Sequence, residues 1–222
     1  MGQLLYYLVL SGFIWPYLLR YPWLLASLLV VFLARNWLPD PYVYLRTARR
    51  IHQLRVQIAQ NPENAIARRD LASIWLQRRR PLRAIPLLLG ARQRAPDSAE
   101  IAYLLALAYV RAGQAEAALP LCVEAAAREP KLRYGEIFLT AGIALAALDR
   151  YAEAEDSLLR FLKINASSVE GWVRLARTRR LSGDTEGASA ALLGAVEAFE
   201  QSPGFRRRRQ LGWYLRARLR LA

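Results

Sequence analysis

Apolar residues recur with helical spacing through the middle of the chain, and the spacing is interrupted at regular intervals. Between Pro96 and Pro130, two such stripes lie on either side of a break at Gly113. Their residues are Leu105, Ala106 and Tyr109 in the first stripe and Ala118, Cys122 and Ala125 in the second. Positions three and four residues apart share one face of an α-helix, so each stripe predicts a helix. Asp97–Glu100 has the composition of a capping box, which predicts the start of the first helix.

The same pattern repeats along the chain. Pro62, Pro96 and Pro130 are spaced by 34 residues each, and the third copy arrives two residues late because Lys131–Tyr134 contains an insertion. The other copies have Leu71, Ala72, Trp75, Ala84, Leu88 and Ala91; then Phe138, Ala141, Gly142, Leu145, Ala154, Leu158 and Phe161; and then Trp172, Leu175, Ala176, Ala188, Leu192 and Ala195. A fixed period of this length is typical of a solenoid, in which each unit buries its apolar face against its neighbours.

This pattern resembles the tetratricopeptide repeat family, whose first helix carries a large, a small and an aromatic residue and whose second carries alanines around a large residue. The resemblance implies an all-α solenoid of about four repeats, at about residues 63–96, 97–130, 135–168 and 169–202, within 61–200. We expect the residues at the helix crossings to be buried. They are the small Ala72, Ala106, Gly142 and Ala176 and the large Trp75, Tyr109, Leu145 and Trp172.

Residues 1–38 are overwhelmingly apolar and predict an N-terminal hydrophobic membrane anchor. Arg20 and the prolines Pro16 and Pro22 divide the stretch into two runs, each shorter than the roughly 20 residues of a spanning helix. A short helical hairpin and a single span with the other run in the interface both remain open. The arginines that follow, from Arg35 to Arg55, favour a repeat domain that faces the cytoplasm. Residues 39–60 predict a juxtamembrane helix that ends near Gln60.

The other end of the chain predicts a basic C-terminal capping helix over residues 203–222. Its apolar stripe is expected to consist of Phe205, Leu211, Leu215 and Leu219. A solenoid needs such a cap, because its last repeat otherwise leaves an apolar face in water. The run Arg206, Arg207, Arg208 and Arg209 is a candidate for contact with acidic lipid headgroups.

Charge is distributed unevenly along the chain, whose net charge is +14. Residues 1–60 and 61–97 each carry a net charge of +5, residues 98–200 carry −3, and residues 201–222 carry +7. Basic ends can attract anionic lipids or nucleic acid.

The sequence predicts neither a catalytic site nor a metal-binding site. One cysteine and one histidine cannot build a zinc site or a disulfide, and we expect Cys122 to be a buried structural thiol. The sequence contains no phosphate-binding, dinucleotide-binding, metalloprotease or serine-hydrolase motif. We therefore expect no enzyme, no cofactor and no metal.

A binding scaffold is what the family resemblance implies. The family's groove positions correspond here to Arg69, Ser73, Gln77, Tyr103, Leu107, Arg111, Leu139, Ile143, Val173, Arg177 and Arg180. They predict a concave groove with an apolar centre between arginines, suited to a protein or peptide with apolar anchors and acidic flanks. The full prediction is a membrane-tethered scaffold at the cell membrane that supports assembly of an envelope or membrane complex. RNA binding and peripheral binding to anionic lipid are the alternatives, and nucleic acid is not the expected partner.

Overall fold

The computed structural model describes residue 23 and residues 41–221, and all of the regular structure in that part of the chain is helical. The helices are α1 (Pro41–Gln60), α2 (Ala65–Gln77), α3 (Pro81–Arg94), α4 (Ala99–Arg111), α5 (Ala115–Arg128), α6 (Glu136–Ala147), α7 (Tyr151–Ile164), α8 (Val169–Leu181), α9 (Thr185–Glu200) and α10 (Gly204–Leu221). A short 3-10 helix, Leu132–Gly135, precedes α6. The chain divides into two compact units, residues 1–50 and 51–222, and the packing below lies within the second.

Four helical hairpins follow one another in the second unit: α2 with α3, α4 with α5, α6 with α7, and α8 with α9. The second helix of each hairpin packs against the first helix of the next, which confirms the predicted solenoid. Ala72, Ala106, Gly142 and Ala176 are buried, as expected of residues at close helix crossings. Trp75 and Leu145 are buried too, whereas Tyr109 and Trp172 are only half-buried, so the expectation of full burial was wrong for these two.

The turn inside each hairpin has the same backbone geometry in all four repeats. One residue has a positive φ, namely Arg79, Gly113, Asp149 and Gly183 in turn. The next residue then donates its backbone N–H to a carbonyl five residues back, as in the bond of Gln114 to Tyr109 at 2.9 Å. This is the Schellman arrangement, which satisfies carbonyls that the end of the first helix leaves without partners.

Side-chain caps begin three of the four first helices. Asn64, Ser98 and Ser168 each accept a hydrogen bond from the backbone N–H three residues later. The predicted capping box was therefore wrong in register, because the cap of α4 is Ser98 and its N–H donor is Ile101. Glu100 has a different role, described below.

The two-residue insertion replaces the side-chain cap of the third repeat. Arg133 and Tyr134 have φ values of 47° and 58°, and Gly135 follows at 77°. A Cβ at Gly135 would lie 2.9 Å from Cδ1 of Ile164, so a glycine is required there by both conformation and space.

Helix α1 contributes to the core at the start of the second unit. Ile51 and Leu54 are buried in the same apolar cluster as Trp75, and the guanidinium of Arg55 lies 6.0 Å from the Trp75 ring. The predicted anchor at residues 1–38 lies outside the described residues, apart from residue 23. Within the described part of the chain, no helix combines the length and apolarity needed to span a membrane.

Helix α10 covers the last hairpin with a different face from the one predicted. Ala217 is fully buried, Trp213 and Tyr214 are half-buried, and the Tyr214 ring stacks on Phe199 with centroids 4.1 Å apart. The residues of the predicted stripe are exposed to between 46% and 78%. They are Phe205, Leu211, Leu215 and Leu219. That prediction was wrong because the two aromatic rings and a small residue fit the last hairpin more closely.

Candidate functional site

A groove runs along the first helices of the four repeats, and we refer to it as the first-helix groove. It has a volume of about 1040 Å³, at the upper end of the range for ligand pockets. Its lining residues are Ser73, Leu76, Gln77, Arg79, Pro81, Tyr103, Leu104, Leu107, Val110, Arg111, Arg133, Glu136, Leu139, Thr140, Ile143, Glu170, Arg174 and Arg209. All but Arg79, Pro81, Arg133 and Arg209 come from α2, α4, α6 and α8. The solenoid therefore brings together residues separated by more than a hundred positions.

The centre of the groove is apolar. Leu107, Leu139 and Ile143 are half-buried, so each presents part of its side chain to the groove and packs the remainder against the protein. Leu104 lies beneath them and is buried. Half-buried aliphatic side chains on a rigid helical floor are the kind of surface that apolar anchors of a partner can cover.

Tyr103 holds a carboxylate in position beside this apolar centre. Its hydroxyl donates a hydrogen bond of 2.6 Å to Oε2 of Glu136, which links α4 to α6. Burial, the charge of Glu136 and the hydrogen bond to it together raise the pKa of Tyr103, so the phenol stays protonated. Tyr103 is itself only 3% exposed, which makes it a support for Glu136 and not a surface for a partner.

A series of ion pairs crosses the repeats at one edge of the groove. Arg69 lies 2.8 Å from Asp70 and 3.0 Å from Glu100, and Glu100 lies 2.8 Å from Arg133. The Arg133 guanidinium also stands 5.7 Å from the centre of the Tyr103 ring. These groups are partly exposed, so each pair contributes little to stability, but together they fix where the charges stand.

The lining is basic overall. It contains five arginines and two glutamates. Both glutamates are engaged within the protein, Glu136 with Tyr103 and Glu170 with Arg174 at 3.2 Å. Arg111 donates to the carbonyl oxygen of Leu76 at 2.9 Å, which is a neutral partner. The excess of positive charge favours an acidic partner.

The structure brings seven of the predicted site residues together in the first-helix groove. They are Ser73, Gln77, Tyr103, Leu107, Arg111, Leu139 and Ile143. The prediction for Val173 was wrong, because this side chain is 3% exposed within the apolar cluster that includes Ala217. Arg177 and Ile143 line a smaller neighbouring pocket, Arg180 is exposed near the end of α8, and Arg69 belongs to the ion pairs at the edge.

Several charged residues near the groove were missed by sequence reasoning. Glu100, Glu136 and Glu170 occupy the same repeat position, at spacings of 36 and 34 residues, and this periodicity was a usable signal. Arg133 lies in the insertion and Arg209 lies in α10. Neither could be found from the repeat register, because both residues fall outside it.

The cysteine is buried in α5, as predicted. Burial raises the pKa of the Cys122 thiol to about 12, so it carries no nucleophilic thiolate at neutral pH. Within residues 41–221 no three His, Cys, Asp or Glu side chains are grouped so that they could hold a metal ion.

Solved structures with a similar fold include several MamA proteins. MamA from Desulfovibrio magneticus RS-1, from residue 41 to the end, superposes with a TM-score of 0.64 at 12% identity, covering 73% of this chain and 95% of that one. MamA of MSR-1 gives a TM-score of 0.60 at 24% identity, covering 72% and 94%. Another MamA crystal structure gives 0.61 at 18% identity, covering 68% and 81%. At these identities the likeness concerns the fold alone.

A model of the tetratricopeptide repeat family matches residues 53–99, 76–133 and 139–203, which together make up more than half of the chain. Comparison with curated proteins gave no significant match. The matched ranges coincide with the hairpins that carry the period of 34 residues, the small residues at the crossings and the first-helix groove. The chain therefore belongs to the tetratricopeptide repeat family.

Proposed function

We propose that this protein is a binding scaffold whose first-helix groove holds a peptide segment of a protein partner, with apolar anchors and acidic flanks. The observation that supports it most is the combination of a half-buried aliphatic centre, Leu107, Leu139 and Ile143, with an excess of arginines around it. Apolar burial supplies most of the affinity of such a site, and charge steers the approach.

The proposal includes a tether at the cell membrane, with the repeats facing the cytoplasm. Its support is the apolar composition of residues 1–38 and the arginines that follow. Retention of the full chain in the membrane pellet after a carbonate wash tests the tether, and recovery in the supernatant would contradict it. In this position the scaffold would support assembly of an envelope or membrane complex.

Defined peptides test the groove without knowledge of the natural partner. We expect the full chain in detergent to bind a fluorescent peptide of about twelve residues with leucines and glutamates. Peptides in which lysine replaces glutamate, or serine replaces leucine, should bind more weakly. Leu107→Asp with Ile143→Asp should abolish binding, since both changes place charge in the apolar centre. Arg111→Glu with Arg177→Glu should weaken it and reduce its dependence on salt.

The matched controls are Leu159→Asp and Lys163→Glu, both on the exposed side of α7 and outside the groove. They should leave peptide binding unchanged. Circular dichroism checks that every variant keeps its helical content. If the folded groove variants bind the leucine and glutamate peptide as the wild type does, the groove is not the site and the proposal fails.

A further inference from the structure

Helix α10 has an apolar row on the side that faces away from the solenoid. Leu211, Leu215 and Leu219 are spaced by four residues and are 46%, 50% and 78% exposed. Ala217, between the last two, is fully buried. Side chains two positions apart in an α-helix point in directions that differ by about 200°. Leu215 and Leu219 therefore point away from the face that Ala217 buries. The predicted capping stripe is thus a second apolar face, on the outside of the cap.

Arginines border this outer face along both of its edges. The guanidinium of Arg216 lies 4.6 Å from the ring centre of Trp213, and that of Arg218 lies 5.9 Å from the ring centre of Tyr214. Trp213 and Tyr214 are adjacent residues that flank the buried side of α10 about 100° apart. Resting on them, the two guanidiniums stand at the two boundaries between the buried face and the leucine row.

The run Arg206–Arg209 is not a uniform headgroup-binding set. Arg206 donates to Oγ of Ser167 at 3.1 Å, and Arg207 donates to the carbonyl oxygens of Ser202 and Glu200. These two arginines hold the start of α10 against the last hairpin. Arg209 lines the first-helix groove. Of the four, Arg208 remains as a charge on the outer side, together with Arg216 and Arg218.

Charge complementarity identifies the occupant of the outer face. The chain has no acidic residue after Glu200, and residues 201–222 carry a net charge of +7. A leucine row with arginines on both sides is the arrangement of a helix that lies in the plane of an anionic membrane, with its leucines at the acyl boundary and its guanidiniums among the headgroups. Nucleic acid would use the arginines but would leave the leucines exposed to water.

We infer that the outer face of α10 is an in-plane binding surface for anionic lipid, and that Leu211, Leu215 and Leu219 enter the membrane boundary while Arg208, Arg216 and Arg218 contact the headgroups. This inference is independent of the peptide-binding groove, because none of these six residues lines it.

A fluorescent label at position 215 tests the inference in the full chain. The protein carries Leu215→Cys labelled with NBD in a Cys122→Ala background, and the matched control carries the label at Lys163→Cys on α7. Vesicles are made of phosphatidylcholine alone or with about a quarter phosphatidylglycerol. We expect the label at 215 to shift its emission to the blue and to resist an aqueous quencher only with the anionic vesicles. Rising salt should reverse the effect, and the label at 163 should not respond.

Two sets of variants separate the leucines from the arginines. Arg208→Gln with Arg216→Gln and Arg218→Gln should reduce the vesicle response several-fold, and so should Leu211→Ser with Leu219→Ser. All five positions are exposed, and circular dichroism checks that the helices persist. An equal response to neutral vesicles would overturn the inference. So would no response at 215, or a blue shift without vesicles that grows with protein concentration, which would indicate a second copy on this face.

Discussion

At the scale of single residues, the close crossings of helices depend on residues with a very small side chain or none. A Cβ added to Gly142 in α6 would lie 2.7 Å from Cγ of Leu158 and 3.2 Å from the backbone oxygen of Ala154. Leu158 is itself buried, at 1% exposed, and the Ala154 oxygen belongs to the backbone, which does not rotate away as a side chain can. Gly212 in α10 differs, because a Cβ there meets no atom within 4 Å. The same substitution should therefore have opposite effects at the two positions.

We expect Gly142→Ala to destabilise the protein by about 1–3 kcal/mol, because overpacking outweighs the gain in helix propensity. Gly212→Ala should stabilise α10 by about 0.5–1 kcal/mol, because it changes only the conformational entropy of the chain. Urea denaturation of both variants, compared with the wild type, measures the two effects. If Gly142→Ala lowers the free energy of unfolding by no more than Gly212→Ala changes it, the close crossing of α6 and α7 is contradicted.

At the scale of helices, each first helix begins with a local signal and is fixed by contacts one repeat away. Ser98 caps α4 by accepting the N–H of Ile101 at 3.3 Å. Glu100, two residues later, reaches Arg69 and Arg133, which lie 31 and 33 positions away. The serine satisfies a backbone donor that has no other partner, whereas the glutamate joins partly exposed ion pairs. The two residues should therefore differ in what they contribute to stability.

We expect Ser98→Ala to cost about 0.5–2 kcal/mol, since it leaves an N–H at the start of α4 without its partner. Glu100→Ala should cost less, about 0–1 kcal/mol for each exposed pair that it removes, and the cost should fall as salt is added. Denaturation at low and high salt distinguishes them. A larger loss of unfolding free energy for Glu100→Ala, independent of salt, would indicate that Glu100 takes part in a capping box after all.

At the scale of the whole solenoid, the buried apolar residues form two clusters arranged along the chain. One extends from Ile51 to Ala144, and the other extends from Leu158 to Ala217. Each hairpin packs against its neighbours in sequence, so stability is expected to be transmitted from one repeat to the next. Helix α10 completes the second cluster through Trp213, Tyr214 and Ala217.

We expect a chain that ends at Pro203 to lose protection from hydrogen exchange in α8 and α9, while α2 to α5 keep theirs. Removal of α10 exposes the apolar side of the last hairpin, and the main packing contacts of α10 are with α8 and α9. Leu215→Ser, which changes only the outer face of α10, is the control and should leave exchange unchanged. Equal loss of protection in every hairpin would show that the solenoid unfolds as one unit.

The sequence by itself determined the helical hairpins, their register and their number, because these depend on local spacing and on a period that repeats. Ala72, Ala106 and Ala176 are buried where the period placed them. Most of the apolar centre of the groove followed as well, since Leu107, Leu139 and Ile143 occupy fixed positions within the repeat.

Only the tertiary structure decided which side of an ambiguous helix is buried and which partners the long charged side chains find. Helix α10 has apolar residues on two sides, and the contact with Phe199 selected Tyr214 over Leu215. Val173 is covered because its neighbours in space close over it, which its repeat position does not encode. The pairing of Tyr103 with Glu136 joins residues 33 positions apart, and such a pair exists only once two repeats have stacked.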